Sequence, residues 1–296
     1  SFGHYFGRTV GPNVRKAPFV ICALLITLVL CNVPKLQVDH TSMRFQSQSR
    51  VLAFYINLAK RADRRTSIEK QLAAANFKYL RVDAIDGKKH DQIRHCWHGA
   101  DNYTCAGKIG VKLSHIRAID AALRSNQSKF DTFVIIFEDD FTWSSNVDPS
   151  IITTTLNRVK SLVGRWDVLL LSAVVKKKEA MWPTVRLQVG DASYSQLVEI
   201  NDAQAANAYA VKHEYLPKLR SVFLSCTVTR HRSTAIDQCW KPLQRVDRWV
   251  GFSPPLGIQS PSYSDIELRD VNYTSVFNKS GVLKSHGDSS GARLLI

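Results

Sequence analysis

The sequence predicts an α/β domain on a mostly parallel central sheet, preceded by an N-terminal membrane anchor, and three observations carry that expectation. Residues 51–58 and 79–82 are rich in aliphatic and aromatic side chains and flank a stretch of helical composition, a β-α-β pattern that starts a parallel sheet. Val134, Ile135, Ile136 and Phe137 form a continuous apolar run, as in a strand covered on both faces, and the run stops at Glu138, Asp139 and Asp140. Residues 17–33 are almost uninterruptedly apolar, with Arg8, Arg15 and Lys16 before them.

The apolar run is at the short end for a spanning helix, and the basic residues before it favour leaving the amino side in the cytoplasm. A membrane segment and a signal peptide both fit such a run, but Leu30, Cys31, Asn32, Val33 and Pro34 make a poor cleavage site. The reading is a single-pass signal-anchor at 17–33, between a cytoplasmic tail at 1–16 and a polar stem at 34–50. A short span suits the thinner membranes of the early secretory pathway.

Residues 51–275 form the globular domain. A strand at 51–58 is followed by a basic turn with Lys60, Arg61, Arg64 and Arg65, a helix capped by Thr66 or Ser67, and a second strand that ends at Asp83, Ala84, Ile85, Asp86 and Gly87. A glycine-initiated helix follows from Gly107 and Gly110, with Val111, Ile116, Ile119 and Leu123 at helical spacing. The acid-tipped strand comes next, then a polar helix at 151–162, buried strands at 166–172 and 205–211, and a helix opening at Tyr215. Pro254 and Pro255 mark a loop-rich end, and the Ser/Gly-rich tail 276–296 has no periodicity and reads as flexible.

With 40 Lys and Arg against 25 Asp and Glu, the formal charge is +15, which raises nucleic acid or a membrane surface as a partner. The basic residues are dispersed and no nucleic-acid motif with interleaved aromatics accompanies them, so no nucleic-acid partner is expected. Lys176, Lys177 and Lys178 read as a solvated loop. Sequons at Asn102, Asn126, Asn272 and Asn278 suit a luminal, N-glycosylated domain. Of six cysteines, Cys22 and Cys31 lie in the apolar run, which leaves Cys96, Cys105, Cys226 and Cys239 for an oxidising lumen. Four allow three pairings; sequence proximity favours Cys96–Cys105 with Cys226–Cys239, and the spacings lack the tight pairs of a zinc site.

A strand that delivers three carboxylates at its carboxyl end is a place to hold a cation. Ligands of open α/β sheets sit outside those strand ends, and adjacent acids repel unless something compensates. Alternation along the strand puts Glu138 and Asp140 on one side and Asp139 on the other, so a divalent ion would bridge Glu138 and Asp140. Hard oxygen ligands suit Mn²⁺ or Mg²⁺ carrying phosphate oxygens. A solvated acidic turn that merely ends a strand has the same sequence.

Several blocks in order resemble glycosyltransferase family 25, which includes bacterial lipooligosaccharide galactosyltransferases and animal collagen galactosyltransferases. Ile56, Asn57 and Leu58 with Arg61, Asp63 and Arg64 come first, then Ala84, Ile85, Asp86 and Gly87, and then Gly110 with Leu113, Ser114 and His115. Glu138, Asp139 and Asp140 follow, then Ala208 and Tyr209, Ile236 and Asp237, and finally Gln259 with Ser264, Asp265 and Ile266. Val111 departs from the pattern, where the family commonly has cysteine. The resemblance spans residues 51–267 and implies a GT-A-like nucleotide-sugar-binding fold, a UDP-hexose donor and inversion at the anomeric carbon.

On that resemblance, Asp140, with Glu138 or else Asp139, holds the metal that neutralises a diphosphate leaving group. Arg61 and Arg64 reach phosphate or fix the base-binding loop, unless Arg64 pairs with Asp63 or Asp86. Asn57 and Leu58 contact the nucleotide, and Asp86 with Gly87 makes a turn whose carboxylate accepts a ribose or base hydrogen bond. Ser114 and His115, near a positive helix end, face the diphosphate or metal, unless His115 is a structural hydrogen-bonder. Asp237 takes the proton of the acceptor hydroxyl, with Asp139 next in line, unless Asp237 is a helix cap. Trp240 could stack on a sugar face but reads as a core residue, and Gln259 and Asp265 support the site from behind or order the surrounding loop.

The expected activity is transfer of a hexose, galactose from UDP-galactose in the first instance, to a glycan or glycoprotein. The setting is the Golgi or endoplasmic reticulum membrane, single-pass, with the catalytic domain luminal. A catalytically inactive glycan-binding or scaffold protein on the same fold is the alternative. A metal-dependent phosphohydrolase would need further acid or His clusters, which the sequence lacks.

Overall fold

A computed structural model describes residues 51–91, 102–125, 133–162, 166–180, 184–226, 228–229, 232–233, 235–280 and 293–295. The expected tail, anchor and stem at 1–50, together with Cys96 and Asn126, lie outside the described residues. Among the described residues no helix is long and apolar enough to cross a membrane.

The chain runs through β1 (Leu52–Asn57), α1 (Ala62–Ala74), β2 (Lys78–Asp83), α2 (Asn102–Arg124), β3 (Phe133–Glu138), β4 (Phe141–Trp143) and α3 (Ile152–Leu162). Three strands follow, β5 (Val168–Ala180), β6 (Thr184–Gln188) and β7 (Tyr194–Lys212), then α4 (Leu216–Ser225). The two-residue strands β8 (Val228–Thr229) and β9 (Arg232–Ser233) precede the short helices α5 (Ile236–Cys239) and α6 (Lys241–Gln244). The last elements are β10 (Trp249–Ser253), β11 (Gly257–Gln259), β12 (Ser262–Ser264), β13 (Arg269–Val271), α7 (Thr274–Ser280) and β14 (Arg293–Leu295).

The central sheet has the order β10-β5-β7-β3-β1-β2. β1 is parallel to β2 and β3, and β10 to β5, but β7 is antiparallel to β3, β5, β6 and β10. The sheet is therefore mixed, not mostly parallel. The link between β6 and β7 is only 189–193, too short for the crossover that parallel strands need. Lys176, Lys177 and Lys178 belong to β5, not to a loop, with Lys176 and Lys177 exposed.

Alternation along β1 sorts its side chains between two apolar layers. Ala53 and Tyr55 join Ile68 and Leu72 of α1 and Ile152, Leu156 and Val159 of α3. Leu52, Phe54 and Ile56 join Ile116 and Ile119 of α2, Leu219 and Phe223 of α4, and Trp240. Both faces of the sheet are thus covered, which explains why its strands read as continuous apolar runs. Trp240 fills the core, fully buried with its ring against Tyr209 and Trp249.

Three local expectations change. The first helix starts at Ala62 with Arg61 as an N-cap that makes no side-chain capping bond, so Thr66 and Ser67 lie inside it. Helix α2 starts at Asn102, and Gly107 and Gly110 lie within it because a neighbouring loop passes too close for a side chain. A Cβ on Gly110 would sit 2.6 Å from the Ile85 carbonyl oxygen, and one on Gly87 would sit 1.8 Å from the Ala106 oxygen. Beyond 275, α7 continues to Ser280 and Arg293–Leu295 pairs with β6, so ordered elements extend into the segment read as flexible.

The sheet is irregular where β5 meets β7. Ser172 faces Ala208 and Val174 faces Gln204, so residues 205–207 of β7 face Ala173 alone. Such bulges turn side chains away from the regular pleat. Ala205 has φ 69, and two side chains clamp the distortion. Asp237 Oδ2 accepts from Ala205 N at 3.0 Å, while Gln244 Oε1 accepts from Ala203 N at 2.8 Å. Cys239, at the end of the helix that carries Asp237, is bonded to Cys226 with the Cα atoms 5.7 Å apart.

Candidate active site

β3 ends at Glu138 and the chain turns, so the alternation expected for the three acids stops there. Asp139 and Asp140 both meet Arg64 of α1. Arg64 Nη1 donates to Asp139 Oδ1 at 3.0 Å and to Asp140 Oδ2 at 3.3 Å, and Nη2 donates to Ser262 Oγ and the Tyr263 carbonyl, each at 2.8 Å. Neither Asp63 nor Asp86 is its partner. Asn57 Nδ2 donates to Asp139 Oδ2 at 2.7 Å and its Oδ1 accepts from Arg81 Nε at 3.1 Å. This amide fixes an acid instead of facing a cavity.

Glu138 goes the other way. His115 Nε2 lies 2.9 Å from Glu138 Oε1, and His115 Nδ1 lies 2.8 Å from the Tyr209 hydroxyl. A carboxylate can only accept, so Nε2 carries a proton; in the neutral ring the Tyr209 O–H then donates to Nδ1. Burial, with Glu138 adding to it, holds the Tyr209 phenol well above its ordinary pKa, and it remains a donor. His115 and Tyr209 are fully buried. His115 sits in the middle of α2, away from the positive helix end, and its role is to orient Glu138.

Asp140 Oδ2 also accepts from Gln259 Nε2 at 2.9 Å. Its Oδ1 is buried with no hydrogen-bond partner among the described residues. Burial, then repulsion from Glu138, pushes its carboxyl up to about 7. Burial raises Asp139 too, against the pull of Arg64 and Asn57. The two ion pairs and the two raised pKa values point in opposite directions, and the desolvation argument decides: one guanidinium shared by two buried acids does not offset the loss of water around both.

A cavity of about 130 Å³ brings together most of the residues expected to bind a nucleotide sugar, namely Leu58, Arg64, Asp86, Gly87, Ser114 and His115, with Glu138, Asp139 and Asp140. Ser114 Oγ accepts from Ile85 N at 2.8 Å and donates to the Gly110 carbonyl at 2.6 Å, pinning the 84–87 loop to α2. Asp86 Oδ1 accepts from Lys88 N at 3.1 Å and caps a short turn. Arg61 and Asn57 do not line this cavity. Arg61 pairs with Asp63 and Asp265; burial alone would raise Asp265, but Arg61 and Lys60 outweigh it and hold that carboxyl below its usual range.

A larger cavity, about 730 Å³, shares Val111, Glu138, Gln259, Ser264 and Ile266 with the smaller one and reaches Asp237. Asp237 lies in the first turn of α5 and caps Ala205 of β7, not its own helix. Its Oδ1 is buried without a partner among the described residues. Two contributors escaped the sequence reading, Gln244, which clamps the bulge, and Asn207, which lines the larger cavity. The only signal for Asn207 is an amide inside a run of small residues, Ala205, Ala206 and Ala208.

Fold and site define the class: an α/β enzyme domain with an acid-rich site at the carboxyl ends of β1 and β3. Residues 52–185, from the start of β1 into β6, match the family model described as Glycosyltransferase family 25 (LPS biosynthesis protein). Over that segment the chain is similar to glycosyltransferase family 25, and the match supports a glycosyltransferase. The matched segment holds the acid triplet and the smaller cavity's residues up to Asp140, while Asn207, Asp237 and Gln259 lie beyond it. Among solved structures, apo UDP-glucose pyrophosphorylase aligns at 9% identity with a TM-score of 0.34, over 79% of this chain and 81% of that one. At that level the likeness carries no argument about the reaction. No curated protein matches the chain.

Proposed function

We propose that this protein is a metal-dependent, inverting glycosyltransferase, with a GT-A-like domain at 51–275 that moves a hexose from a UDP-hexose, galactose in the first instance, to a glycan or glycoprotein. The setting proposed is the Golgi or endoplasmic reticulum lumen, with the domain carried by a single-pass anchor at 17–33. The observation that carries the reading is the meeting of two cavities at Glu138, one rich in acids and one with Asp237 on its wall.

Asp139 and Asp140 share one arginine beside the smaller cavity while Glu138 meets only His115, and Asp140 Oδ1 is buried and unpartnered among the described residues. That excess of negative charge fits Mn²⁺ or Mg²⁺, with Glu138 and Asp140 as ligands. Among the described residues no group of three or more His, Cys, Asp or Glu is arranged to hold a metal ion. Ions of this kind are commonly bound by one or two carboxylates together with substrate phosphates. When bound, the metal would neutralise charge on the departing diphosphate.

The protein's own residues do the rest. Arg64 and Asn57 engage both oxygens of Asp139, which leaves the base role to Asp237. Its Oδ1 accepts the proton of the acceptor hydroxyl as that oxygen bonds to the anomeric carbon and UDP leaves from the opposite face. His115 keeps Glu138 oriented, and Ser114 holds the 84–87 loop against α2.

The test is a screen of UDP-hexoses with the purified full chain, with and without Mn²⁺. At least one donor should release UDP in Mn²⁺ and none in EDTA. Absence of both UDP release and metal-dependent donor binding across the panel overturns the proposal.

A further inference from the structure

Asn207 is 1% exposed, and neither its Oδ1 nor its Nδ2 has a hydrogen-bond partner among the described residues. A primary amide can donate twice and accept twice, and leaving all of that unpaired in the interior is costly to a fold. The amide lines the larger cavity. It belongs to the bulge at 205–207, which Asp237 and Gln244 clamp from α5 and α6. The chain departs from the regular pleat at the residues that wall this cavity, and departures of this kind gather at ligand sites.

Beside the amide, the same cavity presents Asp237, whose Oδ1 is also unpartnered among the described residues. Apolar side chains of Val174, Ala206, Ile236, Ile266 and Phe277 complete the relevant wall. The unpaired set is thus one amide donor, one amide acceptor and one carboxylate acceptor on an apolar ground. An anion would be repelled by Asp237, and an apolar ligand would leave the amide unpaired. Sugar hydroxyls each give and take a hydrogen bond, while the C–H face of a pyranose ring packs on apolar carbon. The volume of about 730 Å³ falls within the range of small-molecule sites.

We propose that Asn207 reads a hydroxyl of a pyranose ring held in the larger cavity, next to Asp237. This deepens the glycosyl-transfer reading and rests on it, since the ring is taken to be one of the two sugars of that reaction. A site built to pair a hydroxyl rejects analogues that lack it, because its own buried groups are then left unpaired.

The test compares the wild-type chain with Asn207→Leu, which keeps the branched heavy-atom skeleton and removes the amide, and with Asn207→Ala as a second variant. The probes are UDP, UDP-galactose, UDP-glucose, and the methyl pyranosides of galactose, glucose and mannose, measured by calorimetry and saturation-transfer NMR in Mn²⁺. At least one sugar probe should bind the wild type and lose roughly tenfold in affinity in both variants, with UDP unchanged. Loss confined to the UDP-hexose identifies the donor's ring, and loss confined to a methyl pyranoside identifies the acceptor's; either supports the proposal. Because the amide is a burden when no ligand is bound, Asn207→Leu should also melt about 2–4 °C higher without ligand. Failure of every sugar probe to bind the wild type overturns the inference. So does equal binding by wild type and variants, including the case where Asn207→Leu melts lower because an ordered water satisfies the amide. A methyl pyranoside that binds through Asn207 while UDP and UDP-hexoses do not bind would sink the nucleotide-sugar reading and leave this one standing.

Discussion

Asp140 carries the sharpest pH dependence at the residue scale. Its carboxyl is raised from 3.8 to about 7 by burial and by Glu138, so between those values the folded protein holds a proton that the unfolded chain releases. Stability therefore falls as pH rises through that window, and above it the charged form stays buried at a cost. In EDTA, the Tm of the wild type should drop between pH 5 and pH 8 by more than that of Asp140→Asn. Mn²⁺ should offset the drop in the wild type alone, and its affinity should weaken below pH 7 as the proton competes for the same oxygen. Parallel melting curves for the two proteins across pH would remove Asp140 from both roles. Asp237 makes a different prediction, because one of its oxygens is spent on Ala205 N and the other is free for chemistry. Asp237→Asn keeps an acceptor for that backbone N–H, so the bulge and the donor site should persist. UDP-hexose affinity should stay within about twofold while kcat falls roughly 10²- to 10⁴-fold, the contribution of a positioned base. Near-normal turnover in titrations with the identified acceptor would move the base elsewhere.

The contact between α2 and the loop after β2 decides, at the element scale, whether the smaller cavity has its shape. Replacing a mid-helix glycine by alanine normally gains about 1 kcal/mol of helix propensity. At Gly110 the new methyl would meet backbone atoms, 2.6 Å from the Ile85 oxygen and 2.9 Å from the Gly87 nitrogen. Such overpacking costs about 1–3 kcal/mol, which exceeds the gain. Gly110→Ala should lower the urea midpoint and weaken donor binding by displacing the 84–87 loop; a raised midpoint would show that the loop stands off from the helix. The same glycines show where the sequence was legible and where it was not. The strands at 52–57, 133–138 and 168–172 were readable because a strand covered on both faces is an apolar run whatever its surroundings. Gly107 and Gly110 looked like a helix start because composition cannot tell a terminus from a close approach by a distant loop. The direction of β7 was equally hidden, since side-chain alternation is the same for parallel and antiparallel partners. The acid triplet was visible, but the division of labour within it was not. Glu138 turns to His115 while Asp139 and Asp140 turn to Arg64, and that split follows from where the strand ends. For Asn207 the one signal, an amide inside a run of small residues, did not show its importance, which comes from a bulge that takes its form from Asp237 and Gln244, thirty and more residues later in the chain.

For the molecule as a whole, the excess of 40 basic over 25 acidic residues has a place in the proposed activity without any nucleic acid. Lys60, Arg64 and Lys88 line the smaller cavity, and a basic approach to a narrow site raises the encounter rate of a polyanionic nucleotide. That argument holds in either compartment, so topology needs its own test. The apolar run at 17–33, the four sequons and the cysteines outside the run all favour a luminal position for residue 34 onward. Asn272 is exposed, with Tyr273 and Thr274 completing its sequon, and the Cys226–Cys239 bond closes the segment that carries Asp237. Protein expressed in cells should therefore gain gel mobility on endoglycosidase treatment, and Asn272→Gln should remove one step of that shift. Non-reducing peptide maps should recover Cys226 and Cys239 as a linked pair. In sealed microsomes the domain should resist added protease until detergent opens the membrane. Full digestion without detergent, together with no endoglycosidase shift and freely alkylated cysteines, would put the domain in the cytosol. Such an outcome would leave the glycosyl-transfer chemistry intact but demand an acceptor from that side of the membrane, because the donor site would then face cytosolic nucleotide sugars.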